Sequence, residues 1–198
     1  PQNPKTPVTY HKDINMIVLL SVMAAVACTR PNMSQLYKRH DFQAARERHL
    51  AVGNVSEKYM PMAINHFTSN GSSDTFQLRY LIDESNVPAD TTNPPILFYC
   101  GNEGDVWTFY DNSGFMTQTL AKALGAVVLL GEHRFYGKSL PFGKASFQPG
   151  NVNFLTVDQT LMDYVKLIKA IKSSNSTYAY SPVVAFGGSY GGMLAAWF

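Results

Sequence analysis

From Thr75 onward the apolar positions follow two rhythms. In Thr75 to Asp83, TFQLRYLID, the residues Phe76, Leu78, Tyr80 and Ile82 alternate with Thr75, Gln77, Arg79 and Leu81, the period of a half-buried strand. Ile96 to Cys100, ILFYC, is instead a continuous apolar run, introduced by Pro94-Pro95 and broken by Gly101-Asn102-Glu103-Gly104. A strand covered on both faces reads this way. Phe115 to Leu124 fits a short helix with Met116, Leu120 and Ala123 or Leu124 inward, and Gly125 stands where a C-cap glycine belongs. Ala126 to Leu130, AVVLL, is the next buried strand. Thr156 and Gln159 then stand in capping-box relation and open a helix whose inner face is Val157, Leu161, Tyr164, Ile168 and Ile171, with Asp158, Lys166, Lys169 and Lys172 mainly outside it. Pro182 to Phe186, PVVAF, is a further buried strand. This alternation predicts an α/β domain on a mostly parallel sheet, and right-handed crossovers place helices on both of its faces.

The N-terminal part reads differently. Met16 to Ala27 is apolar apart from Ser21 and closes on Ala25-Val26-Ala27, the small-x-small pattern of a signal peptidase site. It is shorter than the ~20 apolar residues of a membrane span, so a secretory signal peptide over 16–27 and no stable membrane span are expected. Residues 1–15 precede it, which Met16 as the true start would explain. Residues 30 to 58 carry mixed charges in no clear period and read as linker, which makes 1–58 leader and linker and 59–198 the folded domain. Sequons begin at Asn32, Asn54, Asn70 and Asn175 and support a glycosylated, secretory-pathway protein weakly.

Composition narrows the class further. The 198 residues are 45% apolar, 13% aromatic and 15% charged, the last well below the ~25% of an average soluble domain. That excludes disorder, a collagen and a disulfide miniprotein. A formal net charge of +2 gives no field that would call for nucleic acid as partner. Cys28 and Cys100 sit in unrelated settings, and Cys100 reads as a small buried hydrophobe. The five histidines show no metal-ligand spacing, and neither a metal nor a cofactor is expected.

The chemistry gathers at the last strand. PVVAF runs into Gly187-Gly188-Ser189-Tyr190-Gly191-Gly192 and then into the helix formers Met193-Leu194-Ala195-Ala196-Trp197. Strand, G-x-S-x-G, helix is the context of a nucleophile elbow, in which flanking glycines permit a sharp turn that lifts the serine hydroxyl clear of the sheet. The helix N-terminus adds unpaired N–H groups that favour developing negative charge. Ser189 is therefore the candidate nucleophile. The N–H of Tyr190, with the Gly101 to Gly104 loop after ILFYC, is the candidate oxyanion hole. On spacing alone that loop fits an ordinary turn equally well. Glu132-His133-Arg134 follows AVVLL, but in α/β-hydrolases the acid and base come after the serine. These three residues read better as a satisfied polar cluster.

Beyond the elbow, several blocks in order resemble the lysosomal Pro-X carboxypeptidase and dipeptidyl peptidase II family of serine peptidases. They are Asn65-His66-Phe67, Phe76 to Tyr80, Leu97 to Trp107, Glu132 to Gly143, Phe154 to Gln159 and Gly187 to Phe198. The resemblance implies the N-terminal portion of an α/β-hydrolase fold and acyl-enzyme hydrolysis beside proline in peptide substrates, in a lysosomal, vesicular or secreted setting. It leaves room for a homodimer of the full-length protein. Ser189 would be the nucleophile, and Tyr190 with Glu103 and Gly104 would supply the oxyanion hole. The family places its Asp and His, further strands and a helical cap domain after the point where Phe198 stands, so this chain alone is expected to be inactive and to expose a sheet edge. Gly104-Asp105-Val106-Trp107 leans towards dipeptidyl peptidase II and Leu194 to Phe198 towards the carboxypeptidase. Asn65 stands where the family has Asp, which touches a local ion pair and not the chemistry. A related esterase or lipase, and a non-catalytic secreted relative that binds a partner, are the alternatives.

Overall fold

The computed structural model describes residues 16–18, 47, 55–68 and 74–198. The strands are β1 (Met16–Val18), β2 (Val55–Ala63), β3 (Thr75–Asp83), β4 (Ile96–Cys100), β5 (Val127–Gly131) and β6 (Val183–Phe186). The α-helices are α1 (Val106–Asn112), α2 (Ala121–Leu124), α3 (Val157–Ser174) and α4 (Tyr190–Trp197). The strands form one sheet in the order β1-β6-β4-β5-β3-β2. β5, β4, β6 and β1 run parallel, and β3 and β2 join antiparallel at the other side. Crossovers through helices generate the parallel part, while β2 and β3 pair along their whole length from Val55↔Asp83 to Ala63↔Thr75.

Period-2 alternation sorts the strand residues into two cores, one on each face. Phe98, Cys100, Leu129 and Ala185 pack with Tyr164, Leu167 and Ile168 of α3 and Leu194 of α4. Leu97, Tyr99, Val128 and Leu130 pack with Val106, Trp107 and Tyr110 of α1 and with Met116. A strand sandwiched in this way has no polar face, which is why ILFYC and AVVLL read as continuous apolar runs. Cys100 is a free thiol with no exposed surface, and burial raises its pKa, as befits a packing residue.

Several expectations need correction. β3 alternates as a half-buried strand only over Thr75 to Leu78; from Arg79, 1% exposed, through Leu81, 0% exposed, to Asp83 both faces are covered, and Arg79 is neutralised internally. β2 begins at Val55, four residues ahead of the boundary drawn at 59, so the second sequon runs into a strand. Its polar burial pattern and Pro61 suit an edge strand, where an absent N–H costs no ladder bond. In Phe115–Leu124 the first six residues form a π-helical turn before α2 starts, with Ala121 N–H reaching Met116 O. That wider turn shifts the inner face to Met116, Thr117 and Ala121, leaving Ala123 and Leu124 exposed, although Gly125 does end the helix at φ 58°. α1 was not expected at all. The capping box is half made: Thr156 Oγ1 accepts from Gln159 N at 3.3 Å. The Gln159 carboxamide turns away to accept from His66 N at 2.9 Å and to donate to Asn65 Oδ1 at 2.7 Å. β6 is flanked by β1, with Ile17 opposite Val184, so β1 and β2 form the two edges of the sheet. The remainder of the proposed signal peptide and most of the linker lie outside the described residues.

Candidate active site

β4 and β6 are neighbours in the sheet, so the loops leaving their C-terminal ends lie side by side. From β6 the chain turns through Gly187 and Gly188 into Ser189, which sits at the N-cap of α4 with φ 52° and ψ −126°. Among the described residues only Asn93, Phe135 and Ser189 are non-glycine residues at positive φ. Such a conformation is strained and is held only by its surroundings. Here the surroundings are glycines at van der Waals limits. A Cβ on Gly187 would stand 2.1 Å from Gly191 O, and one on Gly191 would stand 2.4 Å from Cys100 O. The turn can be this tight only because those positions have no side chain. Ser189 is exposed, its side chain makes no cap bond, and the α4 ladder begins with Gly192 N to Gly188 O and Met193 N to Ser189 O at 3.2 and 3.3 Å. The N–H groups of Tyr190 and Gly191 are first-turn donors outside that ladder.

The loop after β4 supplies the facing wall. Gly101 N–H is tied to Gly131 O at 3.1 Å, and Gly104 N–H turns back onto Asn102 O at 2.8 Å. Gly104 is therefore not an open donor, whereas Glu103 in the same loop is exposed. Asn102 packs under the turn with Oδ1 3.2 Å from where a Gly191 Cβ would lie.

Glu132, His133 and Arg134 at the end of β5 have no exposed surface. Glu132 takes Arg79 in a two-point pair and also accepts from Val106 N at 3.1 Å, Lys138 N at 2.9 Å and Ser139 Oγ at 2.8 Å. Arg79 reaches Asp105 as well, at 2.5 Å. Burial opposes the charge on Arg79, but the Glu132 and Asp105 carboxylates outweigh it and raise the guanidinium pKa. Arg134 pairs with Asp163 through Nε and Nη2 at 2.6 and 2.7 Å, and Asp163 also meets His66 Nε2 at 2.6 Å. The same guanidinium donates to the carbonyls of Ala63, Ile64 and Phe154. Asp105 caps α1 by accepting from Trp107 N at 2.9 Å.

His133 underlies the elbow without addressing it. Its ring meets Tyr190 and Tyr136 at centroid distances of 5.6 and 5.3 Å. Nδ1 lies 2.6 Å from Arg134 O and Nε2 faces Thr160 Oγ1 at 3.3 Å. Burial lowers its pKa, against the smaller opposing effect of that carbonyl. With both nitrogens engaged, His133 is not placed as a base for Ser189, in line with its reading as a satisfied cluster member. Burial raises the pKa of the Tyr190 phenol, as does the neighbouring Glu103 carboxylate. Among the described residues no helix is long and apolar enough to cross a membrane.

Sequence reasoning missed Tyr99, whose phenol oxygen lies 3.3 Å from where a Cβ on Gly188 would stand. In ILFYC it counted as one more apolar residue, and the only available signal was a hydroxyl in the strand beside the elbow.

Residues 62–198 match the family described as serine carboxypeptidase S28. The human lysosomal Pro-X carboxypeptidase is 40% identical over 186 residues, 92% of this chain and 37% of that one. The prolyl carboxy peptidase like protein 5 of Caenorhabditis elegans is 40% identical over 154 residues, 77% of this chain and 29% of its own length. The chain thus spans between 29% and 37% of the length of these two curated relatives. A homoserine O-acetyltransferase from Staphylococcus aureus aligns over 72% of this chain and 41% of its own at a TM-score of 0.45 and 18% identity.

Proposed function

The chain belongs to the serine carboxypeptidase S28 family, and from that premise we propose that it is the N-terminal part of a serine exopeptidase that cleaves peptides beside proline. Ser189 is the nucleophile, and the N–H groups of Tyr190 and Glu103 receive the oxyanion. One observation carries this reading: an exposed serine is held at φ 52° on a strand-to-helix turn, above open first-turn N–H groups. Attack by Ser189 Oγ on the scissile carbonyl forms an acyl-enzyme and releases the amine, and water then releases the acid. The oxyanion of each tetrahedral intermediate lies between the two loops, where fixed dipoles need no reorganisation.

A serine needs a base to take its proton. His66 and His133 are both engaged elsewhere, so on this reading the base and its orienting carboxylate come from the longer protein, after Ser189 in chain order. Residues 1–198 by themselves then turn over no peptide. A lysosomal, vesicular or secreted location follows from the same reading, with Met16 to Ala27 as signal peptide. Asn175, the one sequon asparagine among the described residues, is exposed and could carry a glycan, with its Oδ1 accepting from Thr177 N at 2.9 Å.

The test is fluorophosphonate labelling of the complete protein from its native source, followed by mapping of the labelled peptide. Label on Ser189, with turnover of X-Pro peptides well above that of short acyl esters, supports the proposal. Absence of label on Ser189 removes it, and preference for the esters removes the peptidase assignment.

A further inference from the structure

Beside the elbow the surface is aromatic. The ring of Tyr190, the residue after Ser189, lies on His133 at a centroid distance of 5.6 Å, and the Tyr136 ring meets the same imidazole edge-on at 5.3 Å. Phe147 continues the row, its centroid 6.4 Å from that of Tyr136. His133 is buried beneath, whereas Tyr190 and Tyr136 are half-buried and Phe147 is 58% exposed. A single exposed phenylalanine is ordinary. A row of rings that starts next to an exposed serine is a continuous apolar surface, and such surfaces mark places where a ligand docks.

The row is held from below. Phe147 stands edge-on against the buried Phe135, with centroids 5.8 Å apart. Phe135 has φ 70°, a conformation that a bulky residue keeps only where its surroundings enforce it. Phe135 N donates to Ser139 O at 2.8 Å, Ser139 N donates to Tyr136 O at 2.9 Å, and Ser139 Oγ donates to Glu132 at 2.8 Å. The turn that buries Phe135 and leaves Tyr136 at the surface is thus anchored in the polar cluster after β5. Before Phe147, the buried Ser146 donates through Oγ to Gly143 O at 2.8 Å and accepts from Phe142 N at 3.0 Å. Rings fixed in this way lose little conformational freedom when a ligand covers them.

We propose that Tyr190, Tyr136 and Phe147 form a subsite that takes an apolar or aromatic side chain of the peptide substrate, about two to five residues from the scissile bond. The inference deepens the peptidase reading and rests on it. An extended peptide advances ~3.3–3.6 Å per residue, and its same-side side chains recur every ~7 Å, close to the 6.4 Å between Tyr136 and Phe147. An exopeptidase removes only a short piece, so the row receives the longer side of the substrate. Burial, with Glu103 as a further cause, raises the pKa of both phenols. The tyrosines therefore remain neutral at acid and neutral pH, and an apolar side chain suits them.

The test uses the complete protein and X-Pro peptides in which one position at a time, moving outward along the longer side, is Phe or Gln. The quantity read is the ratio of kcat/KM for the Phe and Gln versions, in which a general loss of activity cancels. The wild type is expected to prefer Phe by about 10-fold at one position in that window. Phe147→Ser should bring the ratio to within about twofold of unity, while Phe147→Leu keeps most of it. Tyr180→Ser, at the other end of β6 and 83% exposed, should leave the ratio unchanged. A flat ratio in the wild type, or an unaltered one in Phe147→Ser, overturns the subsite and means that the row is bare of substrate or covered by another part of the protein. If Phe147→Ser does not fold, Tyr136→Ser carries the same expectation and decides. Absence of turnover of every X-Pro peptide, or of label on Ser189, is a separate result that removes the peptidase reading itself, whereas turnover with a flat ratio removes the subsite alone.

Discussion

The chain leaves β5 and β6 at the same end of the sheet and does opposite things there. After β5 it buries Glu132, His133 and Arg134 completely and gives their polar groups partners from β3, α3 and neighbouring loops. After β6 it exposes a serine in a strained conformation, surrounds it with glycine, and leaves first-turn N–H groups open. The first arrangement is what a low-dielectric interior demands of charge, since an unpaired buried ion is costly. The second holds backbone strain that its surroundings must maintain and leaves the serine hydroxyl exposed. The number of polar residues therefore says little about function at this end of the sheet. Whether their bonds are already made says much more. The two regions meet where His133 packs on Tyr190, so the satisfied cluster serves as floor to the unsatisfied turn.

Ser189→Ala is the most severe test of that contrast. In the complete protein it should lower peptide turnover by about a millionfold while the melting temperature stays close to that of the wild type. Turnover within a hundredfold of wild type would place the chemistry elsewhere. The complementary change is Asp163→Ala, which strips both Arg134 and His66 of their carboxylate. Breaking a buried pair from one side costs about 3–5 kcal/mol, readable as a lowered denaturant midpoint, while turnover per folded molecule should hold. If Asp163→Ala instead abolished turnover in folded protein, the division between the two regions would fail. Gly191→Ala tests the seam. Its methyl would meet Cys100 O at 2.4 Å, so a loss of about 1–3 kcal/mol should accompany a fall in fluorophosphonate labelling. Full labelling would mean that the turn tolerates a wider approach.

How much of this could be read in advance follows from which interactions are local. The elbow was legible because strand, turn and helix are consecutive, and its glycines and serine act within one short segment. The strands ILFYC and AVVLL were legible for the same reason. Arg79 was not, because its partners Asp105 and Glu132 lie 26 and 53 residues away and a lone arginine in an alternating strand reads as outward. α1 was missed because its two turns, VWTFYDN, are too short to display a period; the Asp105 cap was the one local clue. The inner face of Phe115–Leu124 was misread because a π-helical turn changes the phase, and no residue type announces one. Gly104 entered the candidate oxyanion hole by sequence position, and only the fold reveals that its N–H is already used.

The smallest expected effect follows pH and concerns the floor of the elbow. His133 is buried with its pKa lowered from the ordinary 6.5, burial being the main cause. Around it stand Arg134, Asp163, Glu103, Thr160, Tyr136 and Tyr190, and their combined influence does not restore the charge. The unfolded chain therefore binds a proton at this position more readily than the folded one. By linkage the contribution to stability is complete above about pH 6.5 and is lost as pH falls through that value towards the folded pKa, by up to about 1.4 kcal/mol per pH unit. His133→Gln has nothing to titrate and should lack that component. Urea midpoints of both forms between about pH 7.5 and 5 would measure the difference, with the carboxylates common to both cancelling. Converging curves as the solution is acidified are expected, and parallel curves would mean that His133 keeps its ordinary pKa in the fold. Convergence would also place a limit on the elbow: protonating the ring beneath Tyr190 is then unfavourable in the folded state, so the turn retains its floor at a pH where an exposed histidine would already be charged.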